Sequence, residues 1–433
     1  LKKNDLNIGI NYSDGISSDK RSDLFFIYKE YMKKNVILYF EYPELKNKHM
    51  SHLLLKQYIK QNSIKTIELW KWKQSKFYYE IKKLKKNKNP IDNWLYFENL
   101  KLVRRLNFWQ NFFLDNNIKI HLDSSEYGNT NIIKQIAIEN INGLSIGKLR
   151  SYPSDLKGIF YHYYPNDIFF TWGEDSKSKL ENTKNNIKNI LISGYPYNIN
   201  SNDHNINISS KFDKDVKFKI LLIDNNHGEN FSISQNIYSK DLEKFYYNIF
   251  NLCELNEKVG LIIKPKRFNE FKKLKNIETL LNKLLTKKKC IIIEDAYQRQ
   301  TINYSLISNL SVGIGNFTSS AFLESIIYNK GVFYDYGNIY LGDKNYDKYL
   351  NQLVFNDLNQ LISKIKKNIE NNFVDENFGN WNQYIYNIEK FRDKLGHERI
   401  GEYIFNLKKK LDTSFSPKKS ISEANREYFK KWY

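Results

Sequence analysis

Four short stretches of this chain run from apolar residues straight into polar ones suited to chemistry. Residues 311–324, SVGIGNFTSSAFLE, place Gly313 and Gly315 ahead of Asn316, Thr318, Ser319 and Ser320, with Glu324 on the turn that follows. Glycines permit a tight turn and close backbone approach. Ser319 and Ser320 fall at the N-cap and first position of the next helix, where N–H groups and the helix dipole attract an anion such as phosphate. Glu324 then lies within reach of a ribose or sugar hydroxyl. Ordinary capping of a structural helix explains the same serines, and both readings stand. Residues 260–267, GLIIKPKR, run a buried strand into Lys264, Pro265, Lys266 and Arg267. Proline stops the strand, and the cations suit a diphosphate or the carboxylate of an acidic sugar. A solvated strand end is the plain alternative.

The third stretch, KILLIDNNHGEN (219–230), puts Asp224 after a strand, followed by Asn225, Asn226, His227 and Gly228. It reads equally as a loop for a base or ribose and as a plain turn. The fourth, IKIHLDSSEYGN (118–129), ends a strand in Asp123, Ser124, Ser125 and Glu126. A carboxylate there suits removal of a proton from an acceptor hydroxyl. The alternative is an N-cap for the helix that starts near Ile132. His121 and Asp123 fall short of the three or four ligands a metal needs.

Other patterns argue against common chemistries. The glycine spacing does not complete GxGxxG, and no GxxxxGK[ST] loop occurs, which disfavours a simple dinucleotide fold and a P-loop NTPase. Asp213-Lys214-Asp215 imitates a metal-binding DxD but precedes a strand instead of following one. Asn316-Phe317-Thr318 is a glycosylation sequon without other signs of secretion. No GxSxG elbow is present.

The elements that must position these residues alternate. Strands are expected at Val36–Phe40, Thr66–Leu69, Ile118–Leu122, 167–172 and 189–193. Helices are expected at Leu24–Lys33, His52–Gln61, Trp94–Leu114 and Ile132–Asn142. A polar stretch at 198–214 reads as a linker. The alternation resumes with strands at 217–223, 259–263, 290–294, 312–314 and 331–334. Helices are expected at 239–255, 268–285 and 320–329, and the tail from Asp357 is helical, with a break near Asn377–Asn380. Alternating strands and helices predict α/β domains with mostly parallel sheets. The expected architecture is two Rossmann-like domains facing across a cleft, spanning 1–197 and 215–380, with helices at 381–433 packing back across them. In such sheets ligands bind beyond the carboxyl ends of the strands.

Composition sets the remaining bounds. The 433 residues are 41% hydrophobic and 15% aromatic, enough for sizeable cores. No apolar run reaches the roughly 20 residues that span a bilayer. The chain opens on Leu1, and no basic segment leading into an apolar core marks a signal peptide. The two cysteines, Cys253 and Cys290, suit free thiols in a reducing compartment. The net charge of +20 comes with Lys, Asn and Ile inflated together and lysines spread throughout, as AT-rich coding gives. Attraction to phosphates is the other reading of that charge. The basic stretch Lys76–Asn89 reads as a solvated helix end or, with Trp70 and Trp72, as a contact with anionic lipid.

The succession KILLID, LIIKPK, GIGNFTSSAFLESIIYNKGVFYDYG and FRDKLGHERIGEYI resembles the C-terminal half of GT-B glycosyltransferases that build bacterial capsules, O-antigens and similar glycans. DSSEYG, SIGKLRSYPSD, DIFFTWG and ILISGYP are similar to segments of the same proteins, and to a wider group that includes CDP-glycerol polymer transferases. The resemblance covers about residues 115–405. It implies a cytoplasmic enzyme, in places peripheral to the inner face of the membrane. A nucleotide-activated donor would sit on the second domain, and a glycan or lipid-linked glycan acceptor on the first. Asp224, Gly313, Gly315, Asn316, Thr318, Ser319, Ser320 and Glu324 would face the nucleotide, and Lys264 and Lys266 the donor phosphate or carboxylate. Related transferases of acidic keto-sugars carry His-Pro where this chain has Lys264-Pro265, so a CMP-linked keto-sugar is only one of the donors implied. Asp123 or Glu126 would be the base of an inverting transfer. No metal or other cofactor is implied, since basic side chains would stabilise the departing phosphate. No nucleic acid is expected as a partner. The rival readings are a CDP-glycerol or ribitol phosphotransferase, a nucleotide-sugar epimerase, and a non-enzymatic binder of polyanions or membrane surfaces.

Overall fold

The computed structural model describes residues 6–11, 35–41, 59–60, 63–73, 89–123, 129–149, 152, 163–197, 209–229, 237–294, 304–315, 319–336, 349–371, 375–413 and 416–433. Two compact units divide it. The first draws on Leu1–Arg150, Leu156–Asn198 and Asp393–Tyr433, and the second on Ser151–Asp155 and Ile199–Arg392.

The first unit holds a seven-stranded sheet. Its strands are β1 (Asn7–Asn11), β2 (Val36–Phe40), β3 (Lys65–Glu68), β4 (Ile118–Leu122), β5 (Leu144–Lys148), β6 (Ile168–Thr171) and β7 (Asn189–Ile192). They lie in the order β3-β2-β1-β4-β5-β6-β7, all parallel. The helices are α1 (Pro90–Asp115), α2 (Asn129–Asn140) and α3 (Glu174–Glu181). Strand residues alternate between faces, and β2 shows the consequence. Val36, Leu38 and Phe40 enter one core, while Ile37 and Tyr39 enter another with Trp109, Phe112 and Phe113 of α1 and Ile133, Ala137 and Ile138 of α2. With both faces covered, the strand is apolar throughout.

The second unit carries β8 (Phe218–Ile223), the two-residue strands β9 (His227–Gly228) and β10 (Ile237–Tyr238), β11 (Val259–Lys264), β12 (Cys290–Ile292), β13 (Leu310–Gly315), β14 (Gly331–Asp335) and β15 (Val354–Phe355). Six of them form a parallel sheet in the order β12-β11-β8-β13-β14-β15. Its helices are α4 (Ser239–Glu254), α5 (Phe268–Phe271), α6 (Glu278–Thr286), α7 (Ser320–Ile326), α8 (Leu358–Glu370) and α9 (Asn382–Ile388). The amphipathic α4 drives Leu242, Phe245, Ile249 and Phe250 into one core with Ile220, Leu222, Leu261 and Ile263. The expected break near Asn377–Asn380 is a turn between α8 and α9, with Gly379 at positive φ.

Numbered in chain order within its own sheet, each unit reads 3-2-1-4-5-6, the doubly wound Rossmann arrangement, and the first unit adds a seventh strand at its far edge. The chain then ends in α10 (Gly396–Asp412) and α11 (Pro417–Trp432), both assigned to the first unit. Ile400, Tyr403, Ile404, Leu407, Ile421 and Tyr428 from these helices join the core that holds Val36, Leu38 and Phe40. The expected helices at Leu24–Lys33 and most of His52–Gln61, and the greater part of the 198–214 linker, lie outside the described residues.

Candidate functional site

In a 3-2-1-4 sheet the chain runs off in opposite directions from the first strand and the fourth. The gap left beyond their carboxyl ends is where such folds bind ligands. In the second unit that gap lies between β8 and β13, which pair with Gly313 opposite Ile223. Asp224 follows β8 directly, and Gly315 closes β13. Lys264 ends β11 on the other side of β8, opposite Ile223. Strands stand about 4.8 Å apart, so Lys264 and Gly313, both level with Ile223, are separated by about 10 Å, and Gly315 lies two residues further along β13.

Asp224 fixes the basic loop at this edge. Its carboxylate is buried and accepts from the Tyr246 hydroxyl at 3.1 Å and from the backbone N–H of Lys266. Burial pushes the carboxyl up to about 7, against the opposing pull of those two hydrogen bonds and the charges of Lys264 and Lys266. Asp224 therefore braces the turn after β11. Lys264 is buried there, while Lys266 and Arg267 are exposed.

The turn after β13 is assembled differently. Ser319 is the N-cap of α7, and its hydroxyl accepts from the Phe322 N–H at 3.2 Å. Ser320 opens the helix half-buried, and Glu324 is buried within it. Gly313 is set by packing. A Cβ added there would stand 2.6 Å from the Phe322 ring and 2.9 Å from the Phe333 ring, so the bare backbone lets α7 lie close on the sheet. Asp335, buried at the end of β14, pairs in register with Gly315. Asn316 and Thr318 lie outside the described residues. Asp213 and Asp215 lie on the approach to β8, at the opposite, amino edge of the sheet, where Asp213 accepts the Asp215 N–H at 3.0 Å.

In the first unit the matching gap lies between β1 and β4. Asn11 ends β1, Asp123 follows β4 and Glu41 follows β2. Lys134, buried on α2, reaches both carboxylates, Glu41 at 2.6 Å and Asp123 at 2.8 Å. Its ammonium also lies 4.8 Å from the centre of the Trp109 ring. Burial alone would lower its pKa, but the charges of Asp123 and Glu41 and their hydrogen bonds outweigh burial and hold it above its ordinary range. The Asn11 amide donates to Glu41 at 2.9 Å. Beneath the cluster, Tyr39 Oη lies 2.6 Å from His121 Nε2. Burial drives His121 down to about 3, so it stays neutral and serves the Tyr39 contact. Glu126 lies outside the described residues.

Asp123 thus belongs to a charge cluster that sequence reasoning met only in part. Glu41 had a readable signal, since it directly follows the apolar VILYF strand. Lys134 and Tyr246 had none, because each sits within an ordinary helical pattern.

Comparison with known proteins follows the same lines. A family model described as polysaccharide biosynthesis PFTS motif protein matches residues 150–362, just under half of the chain and including the whole edge from Asp224 to Asp335. No curated protein sequence matches the chain. Among solved structures it is similar to a glycosyltransferase from Rickettsia africae, at 13% identity over 93% of this chain and 99% of that one, with a TM-score of 0.50. It is also similar to Anabaena Alr3699/HepE in complex with UDP and glucose, at 10% identity over 92% and 99%, with a TM-score of 0.50. A third is UDP-GlcNAc 2-epimerase from Neisseria meningitidis bound to UDP-GlcNAc, at 13% identity over 91% and 97%, with a TM-score of 0.51. At these identities the likeness is one of fold: two Rossmann-like units of the GT-B type.

Proposed function

We propose that the chain is a glycosyltransferase of bacterial polysaccharide synthesis, with its nucleotide-activated donor held at the carboxyl edge of the second sheet. The observation that carries this is the braced basic loop, Lys264-Pro265-Lys266, fixed by Asp224 beside the β8–β13 gap. Phosphates are anions, and a loop whose backbone is already fixed binds them with less conformational freedom left to lose. In this reading Lys264 and Lys266 take the donor phosphates, and they neutralise the departing nucleotide with no metal required of the protein. Ser319, Ser320 and Glu324 take phosphate and ribose. The polysaccharide family match over residues 150–362 and the UDP bound in the similar Anabaena Alr3699/HepE structure support a nucleotide-sugar donor. In the first unit, the Asp123–Lys134–Glu41 cluster is the candidate for handling an acceptor hydroxyl.

An epimerase acting on a nucleotide sugar is the second reading, favoured by the similar Neisseria enzyme and its UDP-GlcNAc. A CMP-linked acidic keto-sugar is the finer donor reading, resting on the paired lysines. A CDP-linked glycerol or ribitol donor is its competitor.

A thermal-shift panel of CMP, CDP, UDP, GDP and ADP tests the proposal. A ligand bound to the native state raises the apparent Tm by mass action, by about 2.7 kcal/mol of stability at a hundred times Kd. One nucleotide should raise Tm selectively, and Lys266→Ala and Ser320→Ala/Glu324→Ala should blunt the rise. A panel without selectivity, or a rise indifferent to all three residues, sinks the proposal. With the matching nucleotide sugar and no acceptor, an isomerised sugar that stays attached to the nucleotide would favour the epimerase.

A further inference from the structure

Three consecutive residues leave the first strand of the second sheet with hydrogen-bonding atoms to spare. Asn225 and Asn226 come directly after Asp224, and His227 begins the two-residue strand β9. Asn225 Oδ1 accepts the Asn226 N–H at 2.9 Å, which settles the orientation of the amide and turns Nδ2 the other way. That Nδ2 is buried without a partner among the described residues, and Asn225 as a whole is 5% exposed. Asn226 Oδ1 and His227 Nε2 are likewise buried and unpartnered. His227 Nδ1 lies 3.2 Å from the Ser239 hydroxyl oxygen, which holds the ring. The loop is also pinned, since His227 and Gly228 pair with Ile237 and Tyr238. Buried polar atoms are nearly always paired, so three in succession call for a partner.

Position and charge indicate that partner. The run starts at the carboxyl end of β8, beside the β8–β13 gap, and Lys264 ends β11 on the other side of β8. The cations there suit phosphates. The surroundings of His227 do not, since Glu229, Glu243 and Glu270 act on it as negative charges against the single Lys273. Burial holds the ring below its ordinary range, so it is neutral and adds no positive charge. The spare atoms are also of both kinds: a donor on Asn225, an acceptor on Asn226 and an imidazole nitrogen. A phosphate only accepts, and it would repel Asn226 Oδ1. A sugar hydroxyl both donates and accepts, so hydroxyls answer all three. We infer that Asn225, Asn226 and His227 hold the sugar of the nucleotide-activated donor through its hydroxyl groups. The inference rests on the donor placement proposed above, and it adds the residues that distinguish the sugar from the nucleotide carrying it.

Calorimetric titration of the full chain tests it. The probes are UDP with UDP-glucose and UDP-N-acetylglucosamine, GDP with GDP-mannose, and CMP with CMP-N-acetylneuraminate. Asn226→Ala and His227→Phe should each weaken binding of the recognised nucleotide sugar about tenfold, the size of one lost hydrogen bond. Both should leave the Kd of its free nucleotide unchanged. Lys266→Ala should instead weaken the nucleotide and its sugar form alike. Asn226 Oδ1 bonds to nothing in the protein, so Asn226→Ala should melt at or above the wild type, as expected of a residue kept for a ligand. Equal weakening of nucleotide and nucleotide sugar would give the run to the base or ribose and overturn the inference. Variants that bind both like the wild type overturn it too. A wild type that binds a nucleotide but none of the sugar forms sinks this inference alone. A wild type that binds no nucleotide sinks the donor placement, and this inference with it.

Discussion

Asp224 joins the end of β8 to the turn after β11 through one buried carboxylate. Its position after a strand was legible, and its two readings as ligand loop and plain turn both stood. The structure adds the partner that gives it a job, the backbone N–H of Lys266, which is distant in sequence. The pH behaviour follows from its environment. In the unfolded chain an aspartate titrates near 3.9, whereas in the fold burial lifts Asp224 to about 7. Between those values the folded state holds the extra proton, so this group's contribution is fully present below about 4 and is lost as pH rises through about 7. Asp224→Asn removes the titration and keeps one acceptor for the loop. The Tm difference, wild type minus variant, should fall as pH rises from about 4 to about 7. A difference that stays level across that range would show that the buried carboxylate is already ionised.

At the scale of the elements, legibility tracked length and apolar character. VILYF, IKIHL and GLIIK are uninterrupted apolar or alternating runs, and each is a strand. β1 (NIGIN) and β5 (LSIGK) escaped notice because each is five residues with a central or late glycine and polar ends, which mimics a turn. Their place in the sheet comes from tertiary packing: Gly9 lies against Ile118 and Gly147 against Phe169, where a side chain has no room. Gly313 raises the same question at the donor edge. Its bareness suggested close approach by a ligand, but the neighbours that need the space are Phe322 and Phe333. Gly313→Ala should therefore destabilise the chain by about 1–3 kcal/mol in urea unfolding, the usual cost of overpacking. Pairing it with Phe322→Leu, which withdraws the ring, should recover part of that loss. A Gly313→Ala chain of wild-type stability would return the glycine to a ligand-facing role.

At the scale of the whole molecule, the first unit is built from both ends of the chain. Its sheet is covered on one face by α1 and α2, and the opposite core is completed by α10 and α11. Arg399 fastens α10 in place. It is buried, paired with Asp393, donates to the Ser193 carbonyl at 3.2 Å and lies 4.6 Å from the Trp432 ring. The Tyr428 hydroxyl of α11 donates to the Ile192 carbonyl at 2.7 Å. The sequence leads to the expectation that helices at 381–433 pack back across the domains, but not that α10 and α11 complete the core of the first sheet, because amphipathic periodicity shows that a face is covered and not what covers it. The second unit needs nothing beyond Arg392 for its own core. A chain ending at Arg392 should therefore lose one unit and keep the other. In hydrogen exchange, amides of β4, β5 and β6 should lose protection, while those of β8, β11 and β13 stay slow, since local stability follows the contacts each unit retains. With the donor on the second sheet, the shortened chain should also keep its selective nucleotide response. Protected β4–β6 amides would mean that the first sheet stands without its C-terminal cover. A lost nucleotide response beside protected β8 and β13 amides would move the donor's contacts away from the β8–β13 edge.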